Sequence, residues 1–262
     1  MTTHHVTQPL VPSIPDDQVR VVGRGRRSLL AVSGLLACAV PAMFAVNITR
    51  TLVTGAEADH RFHQLTGQGE VLCALWLLPI LALLRAGWHG RRPSTAAGWA
   101  HLVLVLAGAA SAAVSQGGGA PVLMLVVGLP GAVLWAILPL RPRLLVPVQL
   151  DPLMLPVALV AGAVLLPYAV DQVALQNAAT GYHADNPHYF DMAWISIVLA
   201  AHAMLAALLP AARVLALGFA AATVWTGSAG LALGEATVWS GSVLACGVLA
   251  GAAWAAGRRR GR

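Results

Sequence analysis

The chain has 262 residues, 58% of them hydrophobic, with a mean hydropathy of +0.74 and a formal charge of +6. That is more apolar surface than a soluble domain of this size buries, so lipid must solvate it, and the pI of 10.2 does not signal a nucleic-acid-binding domain. Membrane strands are excluded as well, because alternating segments of about ten residues are not seen.

Residues 1–27 form a polar tail with Pro9, Pro12 and Pro15, expected to be a disordered cytoplasmic segment ending in Arg24, Arg26 and Arg27. Eight charge-poor runs follow, each near the length of about 20 residues that crosses a hydrocarbon core. They cover about 28–48, 70–84, 96–115, 120–140, 152–170, 190–209, 214–233 and 238–256. The first is preceded by a basic segment, as a secretory signal would be, but is too long for one and reads as an uncleaved span. The prediction is an all-α integral membrane protein of eight transmembrane helices. It divides into a first four-helix half (28–143), a second half of the same orientation (144–257) and a basic cytoplasmic tail (258–262).

All sixteen basic residues are arginine. With both termini inside, only Arg50 and Arg61 fall outside, as do seven of the ten acids, which is the asymmetry of the positive-inside rule. Arginine without lysine in an Ala- and Gly-rich chain is associated with bacterial genomes of high GC content, so the expected location is a bacterial cytoplasmic membrane. Cys38, Cys73 and Cys246 each lie in an apolar run without a CxxC pair, and read as small core residues.

Polar chemistry concentrates in two outer connections. Residues 54–70 hold Glu57, Asp59, His60, Arg61, His63 and Glu70, and residues 180–191 hold His183, Asp185, His188 and Asp191. Thr54-Gly55 and Ala58-Asp59 match Thr180-Gly181 and Ala184-Asp185 at one offset, and Glu57, His60 and Phe62 match Asp185, His188 and Phe190 at another two residues longer. Together with the order of long and short connections, this indicates a duplicated four-span unit. An even number of spans gives both copies one orientation, related by an axis along the membrane normal.

On a helix Glu57, His60 and His63 share a face, as do Asp185, His188 and Asp191. An acid three residues before a histidine fixes its tautomer, which suits a metal, a haem iron or a proton. Asn186-Pro187 is a helix-start signal, so span 6 is expected to begin there and leave Asp185 outside it. His60 and His63 with Glu57, Asp59 or Asp185 form a candidate divalent-metal set, though no HExxH is present. Asp191 and the intramembrane His202 extend the set inward as a candidate proton path, and His101 is expected at the inner interface. The stretch Thr226-Gly227-Ser228-Ala229-Gly230 in span 7 reads as small residues at a helix contact.

The run Glu57-Ala58-Asp59-His60-Arg61-Phe62 resembles the Glu-x-x-His-Arg element of haem A synthases, which also have eight spans in two four-helix halves. The resemblance implies Glu57 as the functional acid, with His60 and His188 as haem-ligand positions. Spans 4 and 8 carry no histidine, and the cysteines lie within spans, so the family's second ligand in each half and its outer-loop cysteine pair have no counterpart. Three readings stay open: a haem-, metal- or proton-binding protein, enzyme or not; a small-solute or proton-coupled transporter; and a non-catalytic accessory membrane subunit.

Overall fold

The computed structural model describes residues 20–55, 61–67, 69–115, 120–185 and 188–260. Among these residues the only regular elements are helices: α1 (Arg24–Thr54), α2 (Arg61–Leu65), α3 (Glu70–Trp88), α4 (Thr95–Val114), α5 (Ala120–Ile137), α6 (Met154–Ala178), α7 (Tyr182–Asp185), α8 (His188–Leu208), α9 (Leu215–Leu233) and α10 (Thr237–Arg260), with one 3-10 turn at Pro210–Ala212. Eight stretches are long and apolar enough to cross a membrane, the second running from Arg61 to Trp88, so the predicted spans are all present.

Local chemistry sets several helix ends. Ser94 Oγ accepts from Ala97 N at 3.1 Å to start α4, and Asp151 Oδ1 accepts from Leu153 N and Met154 N at 3.0 and 3.2 Å to start α6. Gly55 and Gly234 end α1 and α9 in the left-handed region, at φ 97° and 76°, where a side chain would be strained. α6 runs past the predicted end at residue 170, because Gln172 and Gln176 are polar but buried in the bundle and so interrupt the apolar run without breaking the helix.

Helices α1, α3, α4 and α5 pack in a closed ring, α1 on α3 and α5, and α4 on α3 and α5. Helices α6, α8, α9 and α10 do the same, α6 on α8 and α10, and α9 on α8 and α10. Across the rings α4 packs on α8 and α3 on α9. Exchanging the two sets in order turns the first of these cross-contacts into the second.

Close packing within the second ring depends on missing side chains. A Cβ on Gly227 would lie 2.5 Å from Leu244 N, and one on Gly247 the same distance from Thr223 Oγ1. Small residues let helix backbones approach where lipid supplies no hydrophobic drive, and the 226–230 stretch serves this contact as expected. His101, near the start of α4, is buried at 4% exposure: its Nδ1 accepts from Trp135 Nε1 at 3.1 Å and its ring fills the space over Gly131.

The outer surface of the bundle is apolar. Leu35, Val46, Leu129 and Val170 are all about two-thirds exposed or more. A soluble protein rarely exposes contiguous apolar area on this scale, and lipid removes the cost of about 25 cal/mol per Å². α8 is the most enclosed span, with 72% of its central window buried against 28% for α1, α5 and α10.

At one end of the bundle an extended strap, residues 138–153, crosses from α5 to α6. Arg92 Nη1 donates to the Arg141 carbonyl, Thr95 Oγ1 to that of Arg143 and Trp99 Nε1 to that of Leu144, at 2.7, 2.8 and 3.1 Å. Farther on, Gln149 N and Asp151 N donate to the Leu208 and Ala207 carbonyls at 2.9 and 2.8 Å, capping the end of α8. Helix alternation gathers Arg20, Arg24, Arg26, Arg27, Arg85, Arg91, Arg92, Arg141, Arg143, Arg213 and Arg258 at this end, with Asp151 the one acid there among the described residues. The opposite end carries Glu70, Asp171, Asp185, Asp191 and Glu235.

Candidate functional site between the two rings

The first polar connection does not stay on its own ring. In α2, Phe62 is buried edge-on against Trp239 of α10 with centroids 6.2 Å apart, and Trp225 Nε1 of α9 donates to the Leu65 carbonyl at 2.9 Å. Thr66 Oγ1 donates to the Phe62 carbonyl at 2.6 Å and touches Met192 Sδ of α8 at 3.2 Å. Gly67 has no side chain to separate the loop from α8: a Cβ there would lie 2.5 Å from Met192 Sδ. These contacts carry His63 across to α8.

The second connection is held by Gln176 of α6, which is 1% exposed. Its Nε2 donates to the His183 carbonyl at 3.0 Å and its Oε1 accepts from Phe190 N at 3.3 Å, so one side chain fixes both α7 and the first turn of α8.

Three imidazoles meet as a result. His183 Nδ1 and His188 Nε2 are 2.6 Å apart, their rings edge to face with centroids at 4.8 Å. His63 stands 5.8 Å from His188, ring to ring, and Tyr189 lies 5.7 to 5.8 Å from all three rings. One ring nitrogen of the His183–His188 pair donates and the other accepts, so a single proton sits between them. His188 is 1% exposed, which keeps water from competing for that proton.

One turn deeper on α8, Asp191 Oδ1 is buried with no hydrogen-bond partner among the described residues. Its neighbour Met192 meets Thr66 of the first connection, which places Asp191 near the contact between the rings. Glu70 accepts from Thr49 Oγ1 of α1 at 2.6 Å. Asp191, Trp194, Val198 and His202 follow one stripe of α8. Trp194 Nε1 donates to the Leu104 carbonyl of α4 at 2.7 Å, and its ring lies 5.9 Å from that of Trp76. His202 is 3% exposed, with neither ring nitrogen hydrogen-bonded among the described residues. Asp191 and His202 are separated along the helix by about 16 Å, at 1.5 Å per residue. Fully buried Trp194, Ile195, Val198 and Leu104 fill that interval, so the predicted inward path is interrupted by an apolar layer.

Of the sequence-predicted residues, His63 and His188 come together and Asp191 lies beneath them. Asp185 is exposed on α7, outside α8 as expected. Glu57, Asp59 and His60 lie outside the described residues. His183, named from the sequence among the polar residues of the second connection but given no role, and Tyr189, not named there, complete the cluster; the signal was an imidazole five residues before His188.

No group of three or more His, Cys, Asp or Glu side chains among the described residues is arranged to hold a metal. Two imidazoles on one tetrahedral zinc would hold their nitrogens about 3.3 Å apart, from zinc–nitrogen bonds of about 2.0 to 2.1 Å. The 2.6 Å between His183 and His188 is a hydrogen bond instead. α5 and α10 carry no histidine.

The helical fold and its apolar exterior define a multi-pass α-helical membrane protein. Compared with protein-family models, characterised proteins and solved structures, the chain matches none.

Proposed function

We propose that this protein is a proton-coupled transporter in which the histidine cluster takes up protons and passes them to Asp191 at the contact between two four-helix halves. The shared proton between His183 and His188 at 2.6 Å carries this reading. Histidine is the side chain that gains and loses charge near neutral pH, and a carboxyl one turn below, with one oxygen buried and unpartnered among the described residues, is a receiver of the kind found in membrane proton relays. The interchangeable contacts of the two rings support a duplicated unit of 28–143 and 144–257. The arginine-rich end supports a cytoplasmic location for both termini, with the cluster opening to the outside of a bacterial cell membrane.

The test is charge displacement in proteoliposomes on a solid-supported membrane after a step from about pH 8 to about pH 6, which spans histidine titration. The expected result is a transient current that is reduced in His188→Ala and absent in Asp191→Asn. A wild-type protein that gives no current overturns the reading. A Soret band in the purified protein, lost in His188→Ala, would replace it with haem binding as the resemblance to haem A synthases implies, and zinc or copper retained through His63 and His188 would replace it with metal binding.

A further inference from the structure

The arginine-rich end holds a second polar site, unrelated to the histidine cluster. A cavity of about 320 Å³ opens there between the strap, the end of α8, the 3-10 turn and α10, lined by Gln149, Leu150, Asp151, Leu153, Arg213 and Gly257, among others. Its size is within the range of roughly 300 to 1,000 Å³ typical of small-ligand sites.

Arg213 is built into this wall. Its guanidinium lies where any side chain at position 257 would have to be, so Gly257 is what admits it. Its Nη2 meets Asp151 Oδ2 at 3.1 Å. Its Nε is buried and has no hydrogen-bond partner among the described residues. Asp151 is itself committed, since its Oδ1 caps the start of α6. The guanidinium is therefore fixed in place while the side chain stays 29% exposed, and a planar fork of N–H groups suits phosphate oxygens. Next to Gly257, Arg258 stands with its guanidinium 4.7 Å over the Trp254 ring, adding positive charge at the same helix end.

The cavity also has an apolar side. Leu150 lines it, and along the strap Leu145, Val148 and Leu150 are 97%, 68% and 57% exposed. Apolar side chains in extended backbone at a bundle end, beside arginines, lie at the boundary of hydrocarbon and headgroups. A free phosphate would use only the charged wall, whereas an amphiphile uses both.

We infer that this cavity binds the phosphate headgroup of an anionic phospholipid, held by Arg213 with its acyl chains along the strap. The full-length protein in neutral detergent is titrated with phosphatidylglycerol or phosphatidylcholine, and retained lipid is counted by native mass spectrometry. Phosphatidylglycerol is expected to bind about fivefold more tightly, as one arginine near the surface gives. Arg213→Gln is expected to bring the two lipids level. Asp151→Asn keeps the cap on α6 and frees the guanidinium, so it is expected to strengthen phosphatidylglycerol binding, a change that lost structure would not produce. Equal binding of the two lipids by the wild-type protein, or no response to both substitutions, overturns the inference. Displacement of the lipid by millimolar inorganic phosphate would assign the site to a free anion instead.

Discussion

Helices α3 and α8 occupy corresponding places in their rings, and aligned from their first residues they differ in chemistry more than in shape. The first position is Glu70 in α3 and His188 in α8, the fourth Cys73 and Asp191, and the fifteenth Leu84 and His202. The seventh is tryptophan in both, and Trp76 and Trp194 meet at 5.9 Å. Shared bulk at the meeting point keeps the rings in register, while only α8 carries histidines along its length. Two helices in corresponding places can thus share the packing residue where they meet and differ in which of them carries histidine.

The sharpest way to break this comparison is to truncate the two tryptophans. Trp194→Ala removes a fully buried ring and its bond to Leu104, with an expected loss of about 3 to 5 kcal/mol, read as a fall in the thermal midpoint in detergent. Trp76 Nε1 has no partner among the described residues, so Trp76→Ala is expected to cost about 1 kcal/mol less, the worth of one hydrogen bond. Equal losses would mean the Leu104 bond contributes nothing.

Gln176→Ala comes next. It strips two hydrogen bonds from the second connection, and a loss of about 1 to 3 kcal/mol is expected. With α7 released, the His183–His188 bond should break, so the nitrogen-15 coupling across that hydrogen bond should disappear from the NMR spectrum. Retained coupling would show that α7 holds its position without Gln176. The smallest effect is expected on α3, where Thr49→Val removes one hydroxyl from Glu70 at a cost of about 0.5 to 1.5 kcal/mol and leaves the pH-step current unchanged. A lost current would make Glu70 a working partner of Asp191.

Hydropathy made the eight spans legible, since lipid imposes a length and an apolar composition on each. The place of Asp185 outside α8 and the small residues near Gly227 were legible because backbone chemistry is local. The site was legible only in part. His63 and His188 stood out as imidazoles between apolar runs, but the pairing of His188 with His183 depends on Gln176, a side chain on another helix. The reach of α2 onto α9 and α10 rests on Trp225 and Phe62, whose partners are far along the chain. The burial of His101 was not legible, because Gly131, which makes room for it, belongs to a different span.

The strap bears on motion as well as on lipid. Its backbone is bonded to the α3–α4 connection at Arg92, to α4 at Thr95 and Trp99 and to α8 at Ala207 and Leu208, so the two rings are tied at one end. The far end is held as well, by Phe62 on Trp239 and Leu65 on Trp225, so the rings are clasped at both ends and any relative tilt has to break one clasp or the other.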